Sequence, residues 1–299
     1  MYFSGGRYAY IYTTSQWRPT SFTATYQAAA EDYSTATWMG NSQIIINSNS
    51  GWYSAGGSGN TAFHGANLGT FSTETSLTMG GQIQTYGDND ADGHVVLMNY
   101  SVYPSSSSAS TWHSQELAWY DYAANNNWFG TSDGSSRPAV IDISTLAAGT
   151  YKLEVYFSQQ TGANSWLYEP YEVHNYVANF TIGATLSRTP TSLTGFSTVA
   201  GTASAAQSFT VTATHLNGNL TVTAPTGYEV STSSGTGYAG SVTLPRDGNN
   251  KVTGQTVYVR LKSSASAGTY NGNVTVSGGG TTQVTVALTG SVATPVPEI

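Results

Sequence analysis

The sequence predicts an all-β protein built from two β-sandwich domains in tandem. Three observations carry this expectation. Alternation of period two, branched residue against hydroxyl residue, dominates the chain; turn signals interrupt it at short intervals; and helical periodicity is nearly absent. A length of 299 residues suits two domains of the usual ~100 to 200 residues each, both large enough to bury a core.

Over residues 1–183, strands are expected at Gly6–Tyr12, Gln43–Asn47, Asn67–Phe71, Gly81–Tyr86, His94–Val102, Tyr151–Phe157 and Tyr176–Ile182. Seven or more strands in that length imply a larger, aromatic-rich sandwich whose long loops, 103–138 and 158–175, are rich in Trp, Asn and Ser. The single helix-friendly run, Tyr26–Tyr33, is short and lacks a sustained apolar face.

The alternation is cleanest over 184–292. It runs through Ser208–Ala213, Leu220–Thr223, Thr256–Lys262, Asn273–Val276 and Gln283–Leu288, placing branched residues on one buried face and Thr, Arg, Lys or Gln on the other. Asn217-Gly218, Pro225-Thr226-Gly227, Asp247-Gly248-Asn249 and Gly278-Gly279-Gly280 supply the turns. Residues 293–299 read as a Pro-rich linker.

Both halves enter a late strand through the same four residues, Ala148-Gly149-Thr150-Tyr151 and Ala267-Gly268-Thr269-Tyr270. The tyrosine is expected to pack under the preceding loop and cap a backbone group with its hydroxyl, as in the tyrosine corner of Greek-key sandwiches. That is an architectural role.

The ordered string S-L-x-G-F, A-A-Q-S-F-T-V, L-x-G-N-L-T-V-T-A-P-x-G-Y-E-V-S, V-Y-V-R-L and S-A-G-T-Y-x-G across residues 186–292 resembles an immunoglobulin-like module repeated in large secreted proteins of Bacteroidetes and related bacteria. The resemblance implies a spacer or adhesion module of a multidomain surface protein, with no catalytic residues to carry over. The first half, through Ala66–Phe71 and Gly80–Tyr86, is similar to uncharacterised modules of the same proteins.

Composition narrows the function. Charged residues are 8% of the chain against about 25% in ordinary soluble proteins, while aromatics reach 12%. Such a chain folds rather than staying disordered, and its surface is polar but uncharged. With a net charge of -7 and nine scattered Lys and Arg, no basic stripe awaits nucleic acid or anionic lipid. No apolar run approaches the ~20 residues of a membrane-spanning helix, so no membrane insertion is expected. The absence of cysteine excludes disulfides and thiolate chemistry. Residues 1–6 lack the charged and apolar regions of a signal peptide, so the start reads as a mature or cut end.

Two patterns hold candidate chemistry. Asp88, Asp90 and Asp92, followed by Gly93, alternate as in a calcium loop. The position that should supply a bidentate Glu is instead Asn99, in an expected strand, so an acidic hairpin turn competes with a Ca2+ site. The second pattern is the aromatic and amide-rich set Trp112-His113, Trp119-Tyr120-Asp121-Tyr122, Asn125–Phe129 and Trp166-Leu167-Tyr168. Of these, Trp119, Asp121, Trp128 and Trp166 are the candidate ligand-binding residues, since sugar rings stack on aromatic planes while Asn and Asp bond their hydroxyls. Packing of the same rings as a satellite core is the competing reading.

Hydrolysis needs paired carboxylates or an activated nucleophile. Glu116, Asp121, Asp133, Asp142, Glu154, Glu169 and Glu172, with His64, His94, His113 and His174, fall in no catalytic spacing. The expectation is therefore a non-enzymatic, extracellular segment of a bacterial surface protein. Its expected role is structural and adhesive; its partners are other protein modules or copies of itself, with assembly into a fibre or layer as an extension. A carbohydrate-binding module accessory to a secreted enzyme, with glycans as partners, is the alternative.

Overall fold

A computed structural model describes residues 2–3, 7–8, 38–47, 53–54, 63–86, 95–123, 126–131, 138–162, 165–169 and 175–296. Every regular element among them is a β-strand. The chain forms two compact units, Met1–Asp32 and Tyr33–Ile299. In the first, β1 (Tyr2–Phe3) and β2 (Arg7–Tyr8) make a short antiparallel ladder. All that follows concerns the second.

Its first sandwich comprises β3 (Trp38–Ile46), β4 (Tyr53–Ser54), β5 (Asn67–Phe71), β6 (Ser76–Tyr86), β7 (Val96–Pro104), β8 (His113–Ala123), β9 (Asn126–Gly130), β10 (Ala139–Asp142), β11 (Gly149–Gly162), β12 (Ser165–Glu169) and β13 (Tyr176–Ile182). Alternation drives the folding of these segments. In β13, Tyr176, Ala178, Phe180 and Ile182 are buried while Val177, Asn179 and Thr181 are half-buried. The pairing runs β4-β3-β6-β9-β8-β7-β11-β13-β5, with β10 also on β6 and β12 also on β11. The ladder becomes a sandwich because β8 changes partners along its length. Residues 113–117 pair with β7, and residues 118–123 pair with β9. Ile44, Met79, Ile83 and Phe129 then face Met98, Val155, Phe157 and Phe180 across one core. The approach is close: a Cβ on Gly81 would lie 2.6 Å from the Met98 sulfur.

The second sandwich comprises β14 (Thr185–Thr189), β15 (Ser192–Val199), β16 (Gln207–Thr214), β17 (Leu220–Thr223), β18 (Tyr228–Ser231), β19 (Ser241–Leu244), β20 (Val252–Leu261), β21 (Gly268–Gly278) and β22 (Thr281–Ala293). A four-stranded sheet, β14-β16-β20-β18, packs on a five-stranded one, β15-β22-β21-β17-β19. Their separate core is mostly Val and Leu with Phe196, Phe209 and Tyr228. Burying each such side chain stabilises by roughly 1.5–3 kcal/mol before the opposing chain entropy.

The two sandwiches repeat one connectivity. In each, the last strand pairs in parallel with an early one, β13 with β5 and β22 with β15. In each, the strand after the A-G-T-Y turn lies between that last strand and a mid-chain strand, β11 between β13 and β7, and β21 between β22 and β17. The sequence-expected strands at 67–71, 176–182 and 220–223 coincide with β5, β13 and β17.

The expected long loops differ from what forms. Residues 103–138 contain β8 and β9, and 158–175 contain β12 and the end of β11. Along β8 the sequence hides its alternation: Leu117 is buried, whereas Trp119, two residues on, is 43% exposed and followed by a register shift.

Candidate functional site

The carboxylates of the first sandwich are the natural place to look for chemistry, and the fold ties two of them down. Glu154, on β11, accepts hydrogen bonds from the Tyr103 hydroxyl of β7 and, at 2.7 Å, from the Asn175 amide. Glu169, closing β12, accepts through Oε1 from the Tyr176 hydroxyl and from Ser42 of β3 at 3.2 Å. Burial and the bond to Glu154 push the Tyr103 hydroxyl up to about 12, and burial with the Glu169 bond likewise raises Tyr176. Both tyrosines thus remain neutral donors, fixing each carboxylate in place.

Next to these pairs lies a row of rings. Trp112 meets Tyr156 edge-on with centroids 5.0 Å apart, and Tyr156 lies 6.1 Å from Tyr168 at a tilt of 51°. Tyr156 sits on β11 and Tyr168 on β12, where Ser158 and Tyr168 are register partners. Trp112 is 38% and Tyr168 53% exposed. Tyr156, Tyr168, Glu169 and Asn175 line an open groove of about 190 Å³. Burial raises the Tyr156 hydroxyl, and Tyr168 adds to the shift. Beside the rings, Ser114 donates to Asn99 at 2.7 Å, and Asn99 to Ser158 at 2.9 Å, a polar line across β8, β7 and β11.

Of the four ligand candidates, Trp166 is two residues from Tyr168 on β12 and shares its face. Trp119 and Trp128 are on β8 and β9, where Trp119 is the register partner of Phe129, and Trp128 of Asp121 and Gln84. The ladder puts these two on a different part of the sheet from β12. The side chain of Asp121 lies outside the described residues, as do Asp88, Asp90 and Asp92. Among the described residues, no three His, Asp or Glu side chains gather as metal ligands would. His64 accepts from the Val177 amide, and His113 stacks on Tyr100. Tyr156 was not singled out by sequence, because within Tyr151–Phe157 it reads as one more alternating strand residue.

A second cluster joins the two sandwiches. Ala148, just before β11, donates its amide to the His215 carbonyl at 2.7 Å. The Nδ1 of His215 lies 2.7 Å from the Leu146 carbonyl; a carbonyl only accepts, so Nδ1 carries the proton. The Asn250 amide reaches the Thr145 carbonyl at 2.7 Å. Arg246 braces the far side, donating to the Leu216 carbonyl and the Asn250 Oδ1, both at 2.6 Å. His215 and Asn250 both hold positive φ, 57° and 60°, a conformation that L-residues avoid unless neighbours impose it.

No protein-family model matches the chain, and no curated protein matches it. Among solved structures, the chain aligns with the CupB6 tip adhesin from Pseudomonas aeruginosa over 87% of its own length and 100% of that chain, at 8% identity and a TM-score of 0.32. It aligns with the C-terminal domain of the Streptococcus pyogenes antigen I/II-family protein AspA over 82% and 98%, at 9% identity and a TM-score of 0.22. With Dpr11 IG1 bound to DIP-gamma, the coverage is 77% and 96%, at 10% identity and a TM-score of 0.24. Likenesses this distant say nothing about what the chain binds.

Proposed function

We propose that this chain is a non-catalytic adhesive and structural segment of a secreted bacterial surface protein, which holds a partner-binding face at a fixed offset from the next module. The observation that carries the reading is the junction. Domains joined by a flexible linker move independently by default. Here Thr145–Ala148 of one sandwich are hydrogen-bonded to His215 and Asn250 of the other, at the cost of two left-handed backbone positions. Such strain serves to set geometry.

The carboxylates support the same reading. Glu154 and Glu169 are acceptors for framework tyrosines, and Glu229 is paired with Arg260 at 2.7 Å. The surface is sparsely charged, so few like charges oppose contact with a second copy. Association into a fibre or layer is the extension of this reading.

Beads coated with the full chain test the proposal. They should attach to bacterial envelope preparations or polysaccharide-coated plates, and excess soluble chain should release them. Beads that attach to no surface and do not cluster with one another would contradict it. Electron microscopy of concentrated chain checks the fibre extension.

A further inference from the structure

We infer that the groove lined by Tyr156 and Tyr168, extended by Trp112, is a binding site for an uncharged sugar residue of an extracellular polysaccharide. The assignment rests on the adhesive reading, whose partner it names. A pyranose offers two kinds of surface, C–H patches on its faces and hydroxyls around its edge. Aromatic planes receive the first, and amide or carboxylate oxygens the second. The groove supplies both at close quarters. Tyr156 and Tyr168, in contact with each other, form its aromatic side, and Glu169 and Asn175 line it with polar groups.

The polar walls are already oriented. Glu169 is held through Oε1 by Tyr176 and Ser42, and Asn175 gives its amide to Glu154, so the carbonyl oxygen of Asn175 takes no part in that bond. Side chains fixed before binding lose little entropy when a ligand arrives. The rings are also set, since Trp112 braces Tyr156 edge-on.

The charge pattern selects among ligands. Among the described residues no Lys or Arg lines the groove, so an anionic sugar would face Glu169 without a counter-charge. An ammonium ligand asks for rings closing around it and a carboxylate to itself. This groove is open, and one oxygen of Glu169 is already engaged by two hydroxyls. A neutral polyol suits all four of the described lining residues. Such a site is shallow enough to accept an internal residue of a long chain, and the exposed Trp112 and the same-face Trp166 would carry neighbouring sugars.

Affinity electrophoresis of the full chain tests this, in gels containing a mixed-linkage β-glucan, a xylan, a galactomannan or an α-glucan, with polygalacturonate as the anionic comparison. At least one neutral polymer should retard the chain and polygalacturonate should not. Tyr168→Ala should weaken the retardation about tenfold, the loss typical of an aromatic anchor, and Trp112→Ala should weaken it less. Val199→Ala, an exposed position in the other sandwich, should leave it unchanged. Tyr168 is more than half exposed, so its variant should melt at the parent temperature. The assignment is overturned if none of the four neutral polymers retards the chain. It is also overturned if retardation survives Tyr168→Ala, or if free choline abolishes it. Bead attachment with no polysaccharide bound would remove the sugar site and leave the adhesive reading standing. Bound polysaccharide that is cut would keep the site and remove that reading.

Discussion

Tyr151 and Tyr270 make the same hydrogen bond in the two sandwiches. Each hydroxyl donates to the backbone carbonyl four residues upstream, Tyr151 to Ala147 at 2.9 Å and Tyr270 to Ser266 at 2.8 Å. Both follow an Ala-Gly-Thr turn, and both open the strand that pairs with the last strand of its sandwich. The cap satisfies a loop carbonyl that no ladder reaches and sets where the strand starts. Replacing either tyrosine by Phe keeps the ring and removes the bond. Each variant should lose about 0.5–1.5 kcal/mol in urea unfolding. A loss confined to one of the two would show that the corners are not equivalent.

Gly227 should tolerate no side chain. Its φ is +87°, and a Cβ there would lie 2.2 Å from the Tyr270 ring. Gly227→Ala therefore combines a left-handed alanine with a clash against a ring fixed by its own hydrogen bond. A loss of roughly 2–3 kcal/mol is expected. Urea unfolding checks it, and Gly235→Ala, with open space around its Cβ, is the comparison.

The junction should be visible in amide exchange. The Ala148 amide is bonded to the His215 carbonyl and is protected for as long as the two sandwiches stay together. Asn250→Ala removes the bond to Thr145 and the support of Arg246, and places alanine in a left-handed conformation. Exchange at Ala148 should quicken about tenfold, the equivalent of ~1.4 kcal/mol. An unchanged rate would mean that the clamp does not hold the sandwiches.

Alkaline pH should destabilise the chain before it ionises the folded tyrosines. Burial, helped by Glu154, lifts Tyr103 from 10.0 to about 12, and burial alone lifts Tyr228 to about 12. The folded state therefore holds these protons after the unfolded state has released them. Their contribution is complete below pH 10 and is lost as pH rises towards 12. Urea midpoints should fall across that window. Tyr103→Phe should flatten the fall, because a Phe has no proton to hold.

Much of this fold was legible in the residues. Tyr176–Ile182 and Leu220–Thr223 bury alternate side chains, the period-two signal of a strand. The tyrosine corners were legible because their four-residue turn occurs twice. β8 and β12 were not: their alternation is carried largely by Trp and Tyr, residues equally at home facing out, and few aliphatic residues, Leu117 and Leu167 among those described, report a core. The ring row was half legible. Trp112, Trp166 and Tyr168 stand out by composition, but their partner Tyr156 lies about ten residues or more from each and meets Trp112 and Tyr168 only once β11 and β12 pair. The junction was barely legible: Asn and His enter positive φ more readily than most residues, but nothing in the types of His215 and Asn250 announces a partner more than 60 residues away.

Adhesion without turnover is the central claim, and a mass balance on one sample measures both. Full chain on a solid support is incubated with a labelled neutral polysaccharide and with solubilised envelope protein, and retained and released label are then counted. The account predicts label held on the support at its original chain length. Fragments appearing in solution at a rate that rises with the amount of chain would contradict it.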